Sequence, residues 1–396
     1  MRRTGLFSAL ALTAALAACG DHPTAPSDRT AALPTPGAVI GQNAVKFWEA
    51  GATVAWNALA TDLAARRPIS AFRLYVYLSL AQLRAAEAAT ASPGPHPPTS
   101  AAIGAASAAI LNSFFPLDIA EIESALDAQE AADPWPGAKH QDFAAGEAIG
   151  RAAGARVLVY AATDLVGLTD PGTPPVGPGY WLSNGGPIAR GLLGARPFYL
   201  TSTDELRPPP PPAFGSPEFL SALAEVRQVA NNRTAEQLAI ALYWHLNVSP
   251  TSLAAPNGLA RELIVSHHRK DAEAARIMFL MASAQFDALI GCFDAKYHYW
   301  FIRPPQADPG IITAFPTPAH PSYPSAHSCV DGADTSVLAA MFPDERDRLA
   351  GVAQESSVSR LYAGIHYRFD LVAGLAIGRA VAAKALAADL NAVAVR

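Results

Sequence analysis

The chain has 396 residues, which is enough for one large or two ordinary domains and for a sizeable apolar core. Hydrophobic residues make up 51% and charged residues only 16%, which excludes a highly charged disordered polymer. The formal net charge of -5 gives no electrostatic basis for a nucleic-acid partner.

The N-terminus has the pattern of an export signal. Arg2 and Arg3 precede an apolar run that is too short to cross a bilayer as a mature helix. The Leu-Ala-Ala-Cys sequence that ends at Cys19 resembles the lipobox of bacterial lipoproteins, in which the cysteine is lipidated. The resemblance implies a signal peptide at residues 1–18 and an exported protein, periplasmic or at the cell surface, whose membrane contact is only a lipid anchor on Cys19. An ordinary signal peptide is the alternative.

Beyond this signal, residues 19–38 are rich in Pro, Thr, Ala and Ser and predict a flexible tether. Residues 39–396 predict a single helical domain with its motif core at 290–391. Apolar residues recur at helical spacing, and almost no stretch alternates with period two. The predicted fold class is therefore all-α, a compact helical bundle with long proline-rich loops, and the helix count leaves room for two four-helix bundles.

The predicted helices begin with one at residues 41–65 and a second that Ser70 caps. The later ones cover residues 100–115, 117–131, 141–162, 216–229, 233–247, 255–267, 269–291, 328–342, 344–362 and 370–391. Thr234 is the predicted cap of the helix at 233–247.

Two of the predicted stretches have special character. The helix at 269–291 is apolar nearly all round, so it is predicted to be central to the core, and its Ser283, Gln285 and Asp287 argue against a membrane span. Residues 163–215 are rich in proline and lack helical periodicity. They are too long for a simple connection and predict a functional or substrate-channel loop over the helical body.

The first of three cationic segments is Lys296-Tyr-His-Tyr-Trp-Phe-Ile-Arg303-Pro304. Lys296 and Arg303 are about two helical turns apart, so a helix would place both on one face before Pro304 ends it. A solvated basic face is the alternative interpretation. The aromatic and apolar residues between the two cations favour a desolvating wall, in which buried cations require an anion.

The second segment is Pro324-Ser325-Ala326-His327, just before an apolar helical run. The Ser325 hydroxyl and the free backbone N–H groups of a helix start form a seat for an anion. His327 beside that seat could act as an acid or a base. A serine that only caps the helix is the simpler alternative.

The third segment contains Ser359-Arg360 and His366-x-x-x-Asp370. Residues four apart on a helix are neighbours, so Asp370 could accept one imidazole N–H of His366 and leave the other nitrogen as nucleophile or ligand. Arg360 offers a planar fork suited to an oxyanion. A purely structural His–Asp pair is the alternative.

Together the three segments resemble the PAP2 phosphatase and vanadium haloperoxidase superfamily, whose signature is Lys-x6-Arg-Pro, then Pro-Ser-Gly-His, then Ser-Arg-x5-His-x3-Asp. The sequence matches every position except the glycine, which is Ala326. Alanine keeps the backbone N–H that the glycine would lend, provided that its φ stays negative. The flanking His-Pro-Ser-Tyr-Pro-Ser-x-His and Gly-Ile-His-Tyr-Arg-Phe-Asp sequences are similar to the haloperoxidase branch.

The resemblance implies a vanadate-dependent haloperoxidase that oxidises halide, with bromide favoured, by hydrogen peroxide to a hypohalous-acid equivalent. His366 would bond vanadium, His327 would take a proton from peroxide, and Asp370 would orient His366. His320 would lie in the halide pocket. The vanadate oxygens would be held by Lys296, Arg303, Ser325, the Ala326 N–H and Arg360.

Two other functions stay open. In a phosphatase of the same superfamily, the same residues would hold the phosphate of an ester, His366 would attack phosphorus to form a phosphohistidine, and His327 would protonate the leaving group. A non-enzymatic phosphate- or vanadate-binding lipoprotein would need neither His327 nor an oriented His366.

Two cysteines, Cys292 and Cys329, lie beside the site segments. An exported protein can form a disulfide between them, and two buried free thiols are the equal alternative. The sequence is compatible with an oligomer and does not specify one.

Overall fold

The computed structural model describes residues 51–92, 97–132, 140–183 and 188–388. The predicted signal peptide, the lipidated Cys19, the tether and the start of the first predicted helix lie outside the described residues. The boundaries predicted for these segments and for the domain at 39–396 therefore stay predictions.

Five helices form the N-terminal part of the described chain: α1 (Ala52–Arg66), α2 (Ala71–Ala91), α3 (Thr99–Phe114), α4 (Ile119–Ala132) and α5 (His140–Ala162). They are rich in alanine, and small side chains let them pack closely. Helices α3 and α5 approach so closely that a Cβ on Gly150 would lie 2.1 Å from the carbonyl oxygen of Ala102. A residue with a side chain at Gly150 would force these two helices apart.

The C-terminal part contains α6 (Pro217–Asn231), α7 (Ala235–Asn247), α8 (Ala254–Ser266), α9 (Asp271–Tyr299), the short α10 (Pro304–Ala307), α11 (Ala326–Met341), a 3₁₀ turn (Pro343–Glu345), α12 (Arg346–Tyr362) and α13 (Arg368–Ala387). The predicted cap at Thr234 is confirmed, because Thr234 and Gln237 form a capping box at the start of α7. In the described residues, the regular structure outside helices consists of isolated β-bridges, so the predicted all-α class is confirmed.

Helix α9 is the centre of the molecule. It packs against α2 on one side and against α11 and α13 on the other, so two groups of helices share it. It is the one helix among the described residues that is long and apolar enough to cross a membrane, and nearly all of it is buried inside the protein. Its central position agrees with the prediction for a core helix.

Residues 163–216, between α5 and α6, form the long loop that the sequence predicts, as far as the structure describes them. The loop is fixed to α9 by the buried carboxylate of Asp287. This carboxylate accepts hydrogen bonds from the backbone N–H groups of Phe198, Tyr199 and Leu200 at 2.8, 2.7 and 3.1 Å. Such a loop has a defined position over the helical body, because its backbone donors are paired with a side chain of the core.

Candidate active site

The three cationic segments meet in one buried region. Lys296 comes from the last turn of α9, Ser325 caps α11, and His366 precedes α13. The backbone N–H of Ser325 donates to the carbonyl oxygen of Asp370 at 3.0 Å, and Arg303 Nη1 donates to His366 Nε2 at 3.3 Å. Residues from all three segments are thus in direct contact.

Close packing of α11 against α13 brings the second and third segments together. A Cβ on Gly374 would lie 2.6 Å from the carbonyl oxygen of Ser325, and one on Gly378 would lie 2.3 Å from that of Cys329. These glycines of α13 therefore let the start of α11 approach the His366 segment at backbone distance.

The predicted arrangement of Lys296 and Arg303 on one helical face was wrong. Helix α9 continues past the predicted end to Tyr299, where Trp300 adopts a left-handed conformation with φ 48° and ends it. Arg303 follows in an extended conformation and caps the separate short helix α10. A turn in the chain, not helical periodicity, returns Arg303 to the site.

Lys296 is fully buried, and backbone carbonyls surround its ammonium group. Nζ donates to the carbonyl oxygens of Pro321 at 3.0 Å, Ser322 at 2.9 Å and Pro324. Three acceptors use all three N–H donors of a lysine. Burial, with a smaller contribution from the charge of Arg303, lowers the pKa of Lys296 to about 8. In this arrangement Lys296 orders the segment before α11 and adds positive charge to the site.

Arg303 is equally buried and is bonded to both histidine segments. Its Nε donates to the His320 carbonyl at 2.9 Å and Nη1 donates to the Ile365 carbonyl at 2.9 Å. The remaining donors reach His366 Nε2 at 3.3 Å and His320 Nδ1 at 2.9 Å. Burial lowers the pKa of Arg303 to about 10, which leaves it charged at neutral pH.

The tautomer of His366 follows from its two partners. Nδ1 lies 2.7 Å from Asp370 Oδ2, and Nε2 lies 3.3 Å from a guanidinium N–H of Arg303. Arginine only donates and an ionised carboxylate only accepts, so Nδ1 holds the proton and Nε2 presents a lone pair. Burial and the charges of Arg303 and Lys296 hold the pKa of His366 well below its usual value, so the imidazole is neutral.

The four-residue spacing correctly predicted that His366 and Asp370 are neighbours, but the two residues do not share a helix. His366 lies before α13, and Asp370 occupies the first turn of that helix, where it also accepts the Tyr367 N–H at 3.1 Å. Burial raises the pKa of Asp370 to about 6, against the opposing effect of hydrogen bonds and cations. Asp370 is therefore ionised at neutral pH.

Ser322 is a member of the site that the sequence analysis missed. Its hydroxyl is buried and donates to Asp370 Oδ2 at 2.6 Å. This hydrogen bond lowers the pKa of Asp370. The serine lies three residues before Ser325, but only the folded chain brings it to a carboxylate 48 residues away.

Ala326, at the position where the family signature has glycine, fits without strain. It is the first residue of α11, and its φ is not positive. Its N–H and that of His327 lie in the first turn of α11, where a helix provides no internal acceptor. Ser325 precedes them as the cap, and its Oγ accepts the Ser328 N–H at 3.4 Å. The predicted seat for an anion thus has the helix start that it requires.

Arg360 closes the site from the end of α12. Its Nε donates to Ser359 Oγ at 2.9 Å and its Nη2 to the Ala241 carbonyl at 2.8 Å. The guanidinium carbon lies 5.4 Å from the centre of the Phe315 ring. Burial lowers the pKa of Arg360 to about 9. Unlike Lys296 and Arg303, this cation lines an internal cavity.

His320 and His327 line the same cavity, which is about 300 Å³ in volume. His327 Nε2 lies 3.1 Å from the Trp244 carbonyl, so Nε2–H donates there and Nδ1 is the nitrogen that can accept a proton. His320 Nδ1 lies 2.9 Å from Arg303 Nη2, which only donates, and 3.1 Å from the Pro321 carbonyl oxygen, which only accepts. Burial holds the pKa of both imidazoles well below the usual value.

One further feature of the cavity was not predicted. His245 lines it from the last turn of α7 and stacks on Phe315 with ring centroids 3.9 Å apart. Loop 163–216 contributes Ala189, Gly191 and Leu192 to the wall, which agrees with the prediction that this loop adjoins a channel. No pattern within α7 could indicate His245, because its neighbour Phe315 is 70 residues away in sequence.

Both internal cysteines are buried free thiols in the structure. Cys292 Sγ lies 3.8 Å from the Pro324 carbonyl oxygen, to which it can donate. Of the two alternatives left open by the sequence, the described chain therefore has the free thiols.

Comparison with known proteins shows which family the site region resembles. Residues 248–392 match the PAP2 superfamily. The predicted resemblance is therefore confirmed, and the PAP2 segment contains every cradle residue that the sequence proposed. We use "cradle" for Lys296, Arg303, Ser325, Ala326, Arg360 and His366. No curated protein sequence gives a match.

Solved structures with the same fold include vanadium-dependent enzymes. The structure of the first bacterial vanadium-dependent iodoperoxidase matches with a TM-score of 0.69 and 23% identity, covering 86% of this chain and 95% of that one. Apo and holo bacterial vanadium-dependent chloroperoxidases match with TM-scores of 0.62 and 0.60 at 13% and 14% identity. They cover 82% and 80% of this chain, and 92% and 91% of theirs. At these identities the likeness establishes a shared fold.

Proposed function

We propose that the protein is a vanadate-dependent haloperoxidase that uses hydrogen peroxide to oxidise halide, with bromide favoured, to a hypohalous-acid equivalent. The observation that carries this proposal is the state of His366: a buried, neutral imidazole whose Nδ1–H is held by Asp370 and whose Nε2 lone pair is directed at a guanidinium. Such a nitrogen is prepared to bond an electrophilic centre within a cationic site. The fold shared with vanadium-dependent iodoperoxidase and chloroperoxidases adds support.

The chemistry of the cradle fits vanadate. His366 Nε2 would bond vanadium, while Arg360, Ser325 and the N–H groups of Ala326 and His327 would bind its oxygens. Arg303 Nη1, which now donates to His366 Nε2, would be available to the same oxygens when that nitrogen holds vanadium. Lys296 would contribute charge, because its donors already bond carbonyls. Vanadate, when bound, supplies the Lewis acidity that activates peroxide towards halide.

The protein's own residues would handle the proton and the halide. His327 is neutral and has one acceptor nitrogen, Nδ1, so it would take a proton from hydrogen peroxide as the latter binds. His320 lines the cavity beside Phe293, with ring centroids 5.3 Å apart, and would form part of the halide pocket.

A phosphatase of the PAP2 superfamily is the second candidate. Its mechanism would use His366 as the nucleophile on phosphorus and His327 as the acid that protonates the leaving group. The geometry of His327 favours the haloperoxidase, because its N–H is bonded to the Trp244 carbonyl and burial keeps its other nitrogen unprotonated. A residue in this state can accept a proton more readily than it can donate one.

Parallel assays of the two activities test the proposal. The purified protein would be loaded with vanadate and given peroxide, bromide and a bromination reporter, while a second sample, free of vanadate, would be given an aryl phosphate. We expect bromination that depends on vanadate and is absent in His366→Ala, with circular dichroism showing an intact fold. Phosphate release without bromination would overturn the haloperoxidase in favour of the phosphatase. A protein that binds vanadate but shows neither activity would be a binding protein.

We also propose that the protein is exported and anchored by a lipid on Cys19. The support is the sequence pattern at residues 1–19. Expression with its own signal should place the protein in the membrane fraction, and mass spectrometry should find an acylated N-terminal cysteine. Cys19→Ala, with the same signal, should lose the acyl group. Unmodified Cys19 in the mature protein would exclude the anchor.

A further inference from the structure

The cavity beside the cradle has a second part with a different character. Away from the cradle, its wall consists of side chains that share an apolar surface and are almost fully buried: Phe72, Leu192, Val248, Leu289, Phe293 and Phe315. We call this part the vestibule. Its residues come from α2, loop 163–216, the C-cap of α7, α9 and the segment before α11, so only the folded chain assembles it.

The charge of the lining restricts what the vestibule can hold. Among the described residues that line the cavity there is no aspartate or glutamate, and Arg360 at the cradle end is the one permanent cation. Burial lowers the pKa of His245, His320 and His327, so the imidazoles are neutral. A sugar, a nucleotide or a second anionic group would lose its hydration here without gaining enough partners. An apolar group has no hydrogen bonds to water that it would lose on entering.

Packing and hydrogen bonds hold loop 163–216 in place where it forms the wall of the vestibule. Gly191 has φ +56°, and a Cβ there would lie 2.6 Å from the Phe293 ring, so the loop backbone lies directly on α9. The Ala189 N–H donates to the Ala319 carbonyl at 2.8 Å, and the Ala189 carbonyl accepts from the Tyr297 hydroxyl. A space that is bounded in this way exists before a ligand enters, which reduces the entropic cost of binding.

We propose that the vestibule binds the apolar body of an organic substrate, a small hydrocarbon-rich or monocyclic aromatic molecule, and presents it to the cradle. The reaction rests on the proposed function: RH + X⁻ + H₂O₂ + H⁺ → RX + 2 H₂O. The halide loses two electrons, peroxide gains them and is reduced to water, and the C–X bond of the product replaces a C–H bond. Halogenation occurs on a bound molecule, which gives it a preferred position on that molecule.

A neutral probe tests the vestibule without involving the cradle. Fluorobenzene binding would be followed by ¹⁹F NMR for the wild type and for Val248→Phe, which fills the vestibule. We expect saturable binding in the wild type and at least about a tenfold loss of affinity in Val248→Phe, since the ring would have no space. Val248→Ala should still bind. The matched control is Val265→Phe, at a position that is 45% exposed on α8. Absence of saturable binding, or equal binding by a folded Val248→Phe, would overturn the proposal.

A homologous series of n-alkylphosphonates gives a test that needs no variant. The phosphonate occupies the cradle and the alkyl chain enters the vestibule, so affinity should rise about fourfold for each added methylene until the space is full. If inorganic phosphate and methylphosphonate bind but longer chains bind no more tightly, the vestibule proposal fails and the cradle stands. If inorganic phosphate does not bind at all, the cradle fails, and fluorobenzene alone then decides the vestibule.

Discussion

The Arg303 end of the cradle, beside His320 and His366, and the Arg360 end, beside Phe315 and the Ala241 carbonyl, hold their cations in different ways. Arg303 is surrounded by the polar backbone, and its donors bond carbonyls and the imidazoles of His320 and His366. Arg360 bonds two oxygens, lies over Phe315 and lines the apolar cavity. The two buried arginines of this site therefore have different surroundings. Arg303 is bonded to the two histidines, and Arg360 places its charge at the cavity.

The largest expected effect is that of Arg303→Lys. Lysine cannot reproduce the fork of hydrogen bonds, so buried carbonyls lose their partners and His366 loses its support. We expect a loss of about 3 kcal/mol in the free energy of unfolding and a loss of turnover of about 10³-fold. Denaturant unfolding and steady-state bromination would measure the two. A stable, active variant would show that Arg303 does not organise the site.

Arg360→Lys should affect binding much more than stability. A lysine at this end keeps the charge but loses the planar donors that face an oxyanion. The expected loss in vanadate affinity is about 1.5–3 kcal/mol, or roughly 10- to 100-fold, with little change in the unfolding free energy. Isothermal titration with vanadate and a thermal melt would separate the two effects. If Arg360→Lys destabilised the protein as much as Arg303→Lys, the two ends would not differ.

The pH profile should report the state of Asp370 at the Arg303 end. The pKa of Asp370 is raised to about 6, so this carboxylate is ionised above that pH and becomes protonated below it. A protonated Asp370 no longer fixes the Nδ1–H tautomer of His366, so activity should fall as the pH drops through about 6. Both arginines keep their charge throughout that range. A flat profile between pH 5 and 7 would show that Asp370 does not control His366.

Ser322→Ala should give the smallest effect and tests whether Asp370 is the group that sets the acid limb of the pH profile. The Ser322 hydrogen bond lowers the pKa of Asp370, so its removal should move the acid limb of the profile to higher pH. The activity at the plateau should drop by roughly two- to tenfold. Ser322→Thr, which keeps a hydroxyl, should restore the original limb. A loss of activity with an unmoved limb would indicate a structural role only.

Features of the site whose residues are a few positions apart could be predicted from the local sequence. The order of the three segments, the cap at Ser325, the capping box at Thr234 and the pairing of His366 with Asp370 all involve residues a few positions apart. Their geometry is set by the backbone of a single turn, so spacing and residue type were sufficient. The positions of most helices followed from apolar periodicity for the same reason.

Contacts between distant parts of the chain could not be predicted from the sequence. The spacing of Lys296 and Arg303 fitted a helix, but packing ended that helix at Tyr299 and a turn placed Arg303. Ser322, His245 and the vestibule depend on contacts across dozens of residues, and no local pattern encodes them. The sequence by itself identified the groups that are candidates to hold an oxyanion. The tertiary structure alone decided which donors are already used by the protein and which apolar space adjoins them, because burial and partners arise only when separate helices pack.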